Sequence, residues 1–164
     1  MASIRSCVAT RPTTRERLEG MSIWFGEPSI DWANSRRDGT LLNELGIEMT
    51  ELTEESLKGR MPVDGRTRQP GGVLHGGASV ALAETLASWG ATFTVDPAAN
   101  YCVGMEINAN HTRPVAEGWV YGEAKPLTRG RTTQVWEIKI TDEAGRLVCI
   151  SRCTMAVLAK PSEY

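Results

Sequence analysis

Glu84 is the only charged residue in a stretch, Gly76 to Thr94, that otherwise carries Val80, Leu82, Ala83, Leu86, Ala87, Trp89, Ala91 and Phe93. That pattern is apolar nearly all round and predicts a helix buried on most faces. A carboxylate buried there is costly unless partners stabilise it, and burial raises its proton affinity toward the range useful in catalysis. Ser88 follows four residues later, on the same helix face, where its hydroxyl reaches a water or substrate group held by Glu84. His75-Gly76-Gly77 opens the helix. Helix N-termini present unpaired N–H groups with partial positive charge, and glycine lets a carbonyl approach them. The Gly76 N–H is therefore a candidate oxyanion donor during attack on a carbonyl.

Gln69 lies in the loop before His75, placed to orient a water or a carbonyl oxygen. A histidine at a helix N-terminus favours the neutral form, so His75 is assigned hydrogen bonding rather than proton transfer. Arg113, Arg129 and Arg131 fall at strand ends or turns, where long cationic side chains meet phosphates. Each residue also has a plainer reading. Glu84 is then a solvated helix carboxylate, Ser88 a small packing residue, the glycines a tight turn, His75 a structural residue and the arginines a hydrated surface.

The elements that must position these groups are legible from periodicity. Around Gly46 the spacing of Leu41, Leu42, Leu45, Ile47, Met49 and Leu52 changes from helix-like to alternating, which predicts a first strand near Gly46 to Leu52. Ser56 to Val63 reads as a second strand, ending at Asp64-Gly65. The loop through Gln69, Pro70, Gly71 and Gly72 brings backbone close to a ligand. After the helix, Tyr101 to Asn110, Trp119 to Leu127, Thr132 to Thr141 and Leu147 to Leu158 read as strands separated by turn chemistry. In the third of these, Gln134, Trp136, Ile138 and Ile140 share one face, and Val135, Glu137 and Lys139 the other. The simplest assembly is an α+β fold in which an antiparallel sheet wraps around one long central helix.

At 164 residues the chain fits one domain, and 41% hydrophobic and 23% charged residues are ordinary for a globular protein. A formal charge of −2 argues against a broad nucleic-acid surface, and no apolar run reaches the length of a membrane span. Cys7, Cys102, Cys149 and Cys153 form no CxxC pair and the chain holds only two histidines. Reduced thiols in a cytoplasmic protein are expected, with no metal site and no cofactor. Residues 1–20 read as a disordered tail or a start placed too early, and 21–39 as a packing or lid segment before a domain at 40–160. Trp24, Phe25 and Trp32 in that segment surround Pro28, and Ser29 to Arg37 is expected to form one or two helical turns.

The run from Gln69-Pro70-Gly71-Gly72 through His75-Gly76-Gly77 to Glu84 resembles the signature of hotdog-fold acyl-CoA thioesterases. The match is to the Glu-type 4-hydroxybenzoyl-CoA and phenylacetate-pathway group. The similarity continues through Gly104 to His111, Lys125-Pro126-Leu127 and Gln134-Val135-Trp136. Within the group it resembles enzymes acting on 1,4-dihydroxy-2-naphthoyl-CoA or proofreading enterobactin synthesis. The resemblance implies hydrolysis of an acyl-CoA thioester to free acid and CoA, with Glu84 as nucleophile or general base. By the same resemblance Gln69 and His75 position substrate and water, the Gly76 N–H polarises the carbonyl, and Ser88 assists the water. It further implies CoA contacts at His111, Arg113, Arg131 and Thr132, and a homodimer, commonly doubled to a homotetramer, whose two chains share each site. An aromatic acyl group is favoured over a medium-chain fatty one. Two rivals are a hotdog dehydratase of 3-hydroxyacyl thioesters and a non-catalytic acyl-CoA sensor. A carboxylate on the helix after His-Gly-Gly favours hydrolysis over the former, and a mere binder has no need of it.

Overall fold

The computed structural model describes residues 22–161; the expected N-terminal tail and Cys7 lie outside them. Gln134, Trp136, Ile138 and Ile140 are all buried, whereas Lys139 is exposed. This alternation makes Thr133–Asp142 a strand with one covered face. Numbered in chain order, the elements are α1 (Ile30–Asn34), α2 (Leu41–Leu45), β1 (Glu48–Leu52), β2 (Leu57–Pro62) and α3 (Gly76–Phe93). They continue as β3 (Asn100–His111), β4 (Trp119–Arg129), β5 (Thr133–Asp142) and β6 (Leu147–Ala159). The six strands form one antiparallel sheet in the order β1-β2-β4-β5-β6-β3, and α3 packs across it, against β2 to β6.

Close approach of helix and sheet is bought with glycine. Gly59 of β2 and Gly122 of β4 stand opposite each other in register. A Cβ at Gly122 would lie 2.6 Å from Leu86 Cδ1, and one at Gly59 2.8 Å from Leu86 Cδ2. The fully buried Leu86 thus fills a socket made by two missing side chains, removing apolar surface worth about 2 kcal/mol from water. The far end of α3 is tied down by polar groups. Gln134 Nε2 donates to Thr94 Oγ1 at 2.8 Å and Trp136 Nε1 donates to Gln134 Oε1 at 2.9 Å, which satisfies a polar pair inside the core.

The N-terminal segment packs on this frame. The Trp24 ring stacks on Trp136 with centroids 6.3 Å apart and its Nε1 donates to the Thr53 carbonyl at 2.6 Å. Asn34, at the end of α1, accepts from the Met49 N–H and donates to the Met49 carbonyl, at 3.0 and 2.8 Å, as a strand residue would. Gly46 adopts the left-handed conformation that ends α2 and lets the chain turn into β1.

Two features differ from the sequence expectation or add to it. Glu84 is exposed in the isolated chain rather than buried. The sheet covers the face of α3 bearing Leu82, Ala83, Leu86 and Ala87, while Gly77, Val80, Ala81, Glu84, Thr85 and Ser88 line an open groove. Apolar composition all round a helix therefore did not mean coverage all round within one chain. The second feature is β3, twelve residues long at the sheet edge, with Tyr101, Val103 and Met105 exposed. A long edge strand of this kind offers unpaired N–H and C=O groups to another strand.

Candidate active site

The start of α3 is organised by His75. Its Nδ1 accepts from the Gly77 N–H at 2.8 Å, and its carbonyl accepts from the N–H groups of Ala78 and Ser79. An accepting Nδ1 places the ring hydrogen of neutral imidazole on Nε2. Among the described residues no acceptor takes the Gly76 N–H, so the first turn presents one free donor at the positive end of an 18-residue helix.

The loop before the helix is held by its own polar groups. The Gln69 backbone N–H donates to Val73, and its Oε1 accepts from the Gly71 N–H at 2.9 Å. That bond orients the amide and leaves the Nε2 hydrogens to donate elsewhere. His111, at the end of β3, packs its ring against Gly76, where a Cβ would come within 2.9 Å of Nε2. Gln69, Gly76, Ser79, His111 and Arg113 line one hollow of about 370 Å³.

Glu84 and Ser88 belong to a second hollow, of about 410 Å³, between α2 and α3. Leu41, Leu42, Val80, Ala81 and Thr85 form its walls and Trp89 its end. Ser88 Oγ lies 4.0 Å from the Met155 sulfur. Trp89 meets Trp32 of α1 edge to face at 5.5 Å, and the Arg36 guanidinium lies over the outer ring at 4.2 Å. Burial chiefly, with the carboxylates of Glu84 and Glu106 acting in the same direction, pushes the Cys153 thiol up to about 11.

The expected residues thus fall into four groups within one chain. Gln69, Gly76, His111 and Arg113 come together; Glu84 and Ser88 share the neighbouring groove; His75 caps the helix between them. Arg131 lies elsewhere, beside Thr94, Asp96 and Arg129 at the C-terminal end of α3, and the carbonyl of Thr132 accepts from Val157. Arg129, grouped with Arg113 and Arg131 from sequence, donates to the Ile23 carbonyl at 2.8 Å and so fastens the N-terminal segment. Sequence reasoning missed Gly104, whose bare Cα faces the Glu84 carboxylate. The available signal was a glycine inside a strand pattern.

A six-stranded antiparallel sheet wrapped on one long helix, with polar groups gathered at the helix start, defines a hotdog-fold protein. Residues 71–149 match the thioesterase superfamily. The chain is 56% identical over 137 residues to a putative esterase of Vibrio cholerae, covering 84% of this chain and 91% of that one. It is 45% identical over 136 residues to the 1,4-dihydroxy-2-naphthoyl-CoA hydrolase of Escherichia coli, covering 83% and 99%. The crystal structure of a mutant thioesterase from Pseudomonas aeruginosa superposes with a TM-score of 0.83 at 43% identity, covering 85% of this chain and all of that one. The chain belongs to the thioesterase superfamily and is a thioester hydrolase.

Proposed function

We propose that the protein hydrolyses aromatic acyl-CoA thioesters, with Glu84 as the catalytic carboxylate and each site completed by a second copy of the chain. One observation carries this reading. Glu84 and Ser88 share an apolar groove that ends on the face-to-edge pair Trp89 and Trp32, a shape and polarity suited to a flat acyl group. The similar naphthoyl-CoA hydrolase acts on such a group.

In the proposed reaction the acyl carbonyl oxygen takes the free Gly76 N–H, while Gln69 Nε2 and His75 Nε2 orient water and substrate. Glu84 attacks the carbonyl carbon directly, or removes a proton from a water that does so, with Ser88 holding that water. Collapse of the tetrahedral intermediate breaks the C–S bond, and the CoA thiolate leaves and takes up a proton. Direct attack instead forms a mixed anhydride, and the one water of the reaction then opens it to free the acid and restore the Glu84 carboxylate. Within one chain the Gln69 and Gly76 hollow and the Glu84 groove are separate, and the open β3 edge gives a second copy a place to pair. This supports a site in which the loop of one chain faces the helix of the other. His111 and Arg113, beside the Gly76 hollow, are the phosphate contacts best placed for CoA; Arg131 and Thr132 serve only from a partner chain.

Free-thiol release from a panel of aromatic and aliphatic acyl-CoA thioesters tests the reading. Glu84→Ala is expected to lower turnover about 100- to 10,000-fold with an unchanged thermal midpoint, the range for a positioned acid or base. Near-normal turnover in that variant rejects Glu84 as the catalytic carboxylate. A folded wild type that binds but does not cleave any panel member rejects hydrolysis of these substrates.

A further inference from the structure

Gly104 is a glycine that its backbone does not require. Its φ lies outside the left-handed region, unlike those of Gly46, Gly72 and Gly118. What a side chain here would meet is Glu84. A Cβ at this position would stand 2.8 Å from Glu84 Oε1 and 3.8 Å from its Cδ, so a side chain here obliges the carboxylate, the free end of a flexible and exposed side chain, to move aside. The strand is also irregular here. Gly104 pairs with Met155 but Glu106 pairs with Thr154, so Met105 is the extra residue of a β-bulge. Bulges bend a strand and re-aim its side chains, and they concentrate beside active sites.

A second contact falls on the same cross-strand pair. The Ser88 hydroxyl lies against the sulfur of Met155, the register partner of Gly104. Glu84 and Ser88 therefore rest on the two residues of a single pair.

We infer that Gly104 and the bulge after it form the seat of Glu84. The missing side chain lets the carboxylate lie against the edge strand at the height of Ser88, and any side chain at 104 turns it out of the groove. Gly104 is then a positioning residue acting through Glu84. The inference rests on the proposed role of Glu84, and the two fail differently.

The test compares wild type, G104A, E84D, E84Q and the double variant G104A/E84D for thiol release, oligomeric mass and thermal midpoint. G104A is expected to lower kcat about 100-fold, the scale of a 1 Å misplacement, with KM changed less than about threefold and the oligomer intact. The shorter Asp side chain withdraws from the added methyl, so the double variant should turn over no more slowly than E84D alone. Losses that multiply, or normal kcat in G104A, overturn the inference. Full turnover in E84Q instead overturns the catalytic role of Glu84, whatever G104A does. A G104A chain that fails to fold while the double variant folds also locates the clash at Glu84. If both fail to fold, the strand itself demands glycine and the inference falls.

Discussion

The His111 ring lies against the Cα of Gly76, so close that a Cβ there would stand 2.9 Å from Nε2. One contact thereby joins the end of β3 to the first turn of α3, and a proposed CoA contact to the proposed oxyanion donor. G76A is expected to push the ring or the helix start aside and to lower kcat/KM about 100-fold. H111A alone should mainly raise KM, and adding G76A to it should cost little more, because the ring that clashed is gone. Steady-state kinetics on the four proteins measures this; multiplied losses in the double variant reject the contact as the cause.

Arg113 and Arg131 sit at opposite ends of α3 in one chain. R113A is expected to raise KM for an acyl-CoA about 10-fold, on the order of one charge-assisted hydrogen bond, with kcat nearly unchanged. The corresponding N-acetylcysteamine thioester lacks the phosphates and should be indifferent to the change. The same selective loss in R131A would assign that arginine to a site completed by another chain, whereas equal KM values for both thioesters would remove it from CoA binding.

Trp32 closes the end of the groove only through Trp89. An edge-to-face aromatic pair is worth about 0.5–1.5 kcal/mol, so W32A should shift the ratio of kcat/KM for aromatic over medium-chain acyl-CoA about 2- to 10-fold toward the longer chains. The ratio from matched substrates is the readout. A W32A enzyme with unchanged preference would show that α1 has no part in choosing the acyl group.

Cys153 keeps its proton in the folded chain up to about 11, chiefly because it is buried. In an unfolded chain a thiol ionises near 8.5. Its contribution to stability is therefore complete below about pH 8.5 and is lost as pH rises toward 11, where only the unfolded thiol has ionised. Thermal midpoints across this window should fall less steeply in C153A than in wild type. Parallel alkaline profiles would mean that the buried thiol is not a determinant.

Each strand and the long helix were legible as periodic patterns, since period two and period 3.6 are written into neighbouring residues. The bounds differ by a residue or two, as at β5, read from Thr132 and observed from Thr133. The catalytic candidates Gln69, His75, Gly76, Glu84 and Ser88 were legible for the same reason: they lie within 20 residues of one another, at spacings a loop and a helix convert directly into position. The exposure of Glu84 was not legible. Composition reports that a helix face avoids charge but not whether the covering surface comes from its own chain.

By itself the sequence determined the order of elements, the helix that carries Glu84 and Ser88, and the glycine-lined start that frees the Gly76 N–H. Those depend on local spacing and on backbone groups that every helix leaves unpaired. Only the tertiary structure decided that Gly59 and Gly122 jointly house Leu86, that His111 seats on Gly76, that Gly104 faces Glu84, and that Arg113 and Arg131 part company. These are contacts across tens of residues, set by strand order, register and one bulge. No pattern in neighbouring residues encodes which strands become neighbours in the sheet.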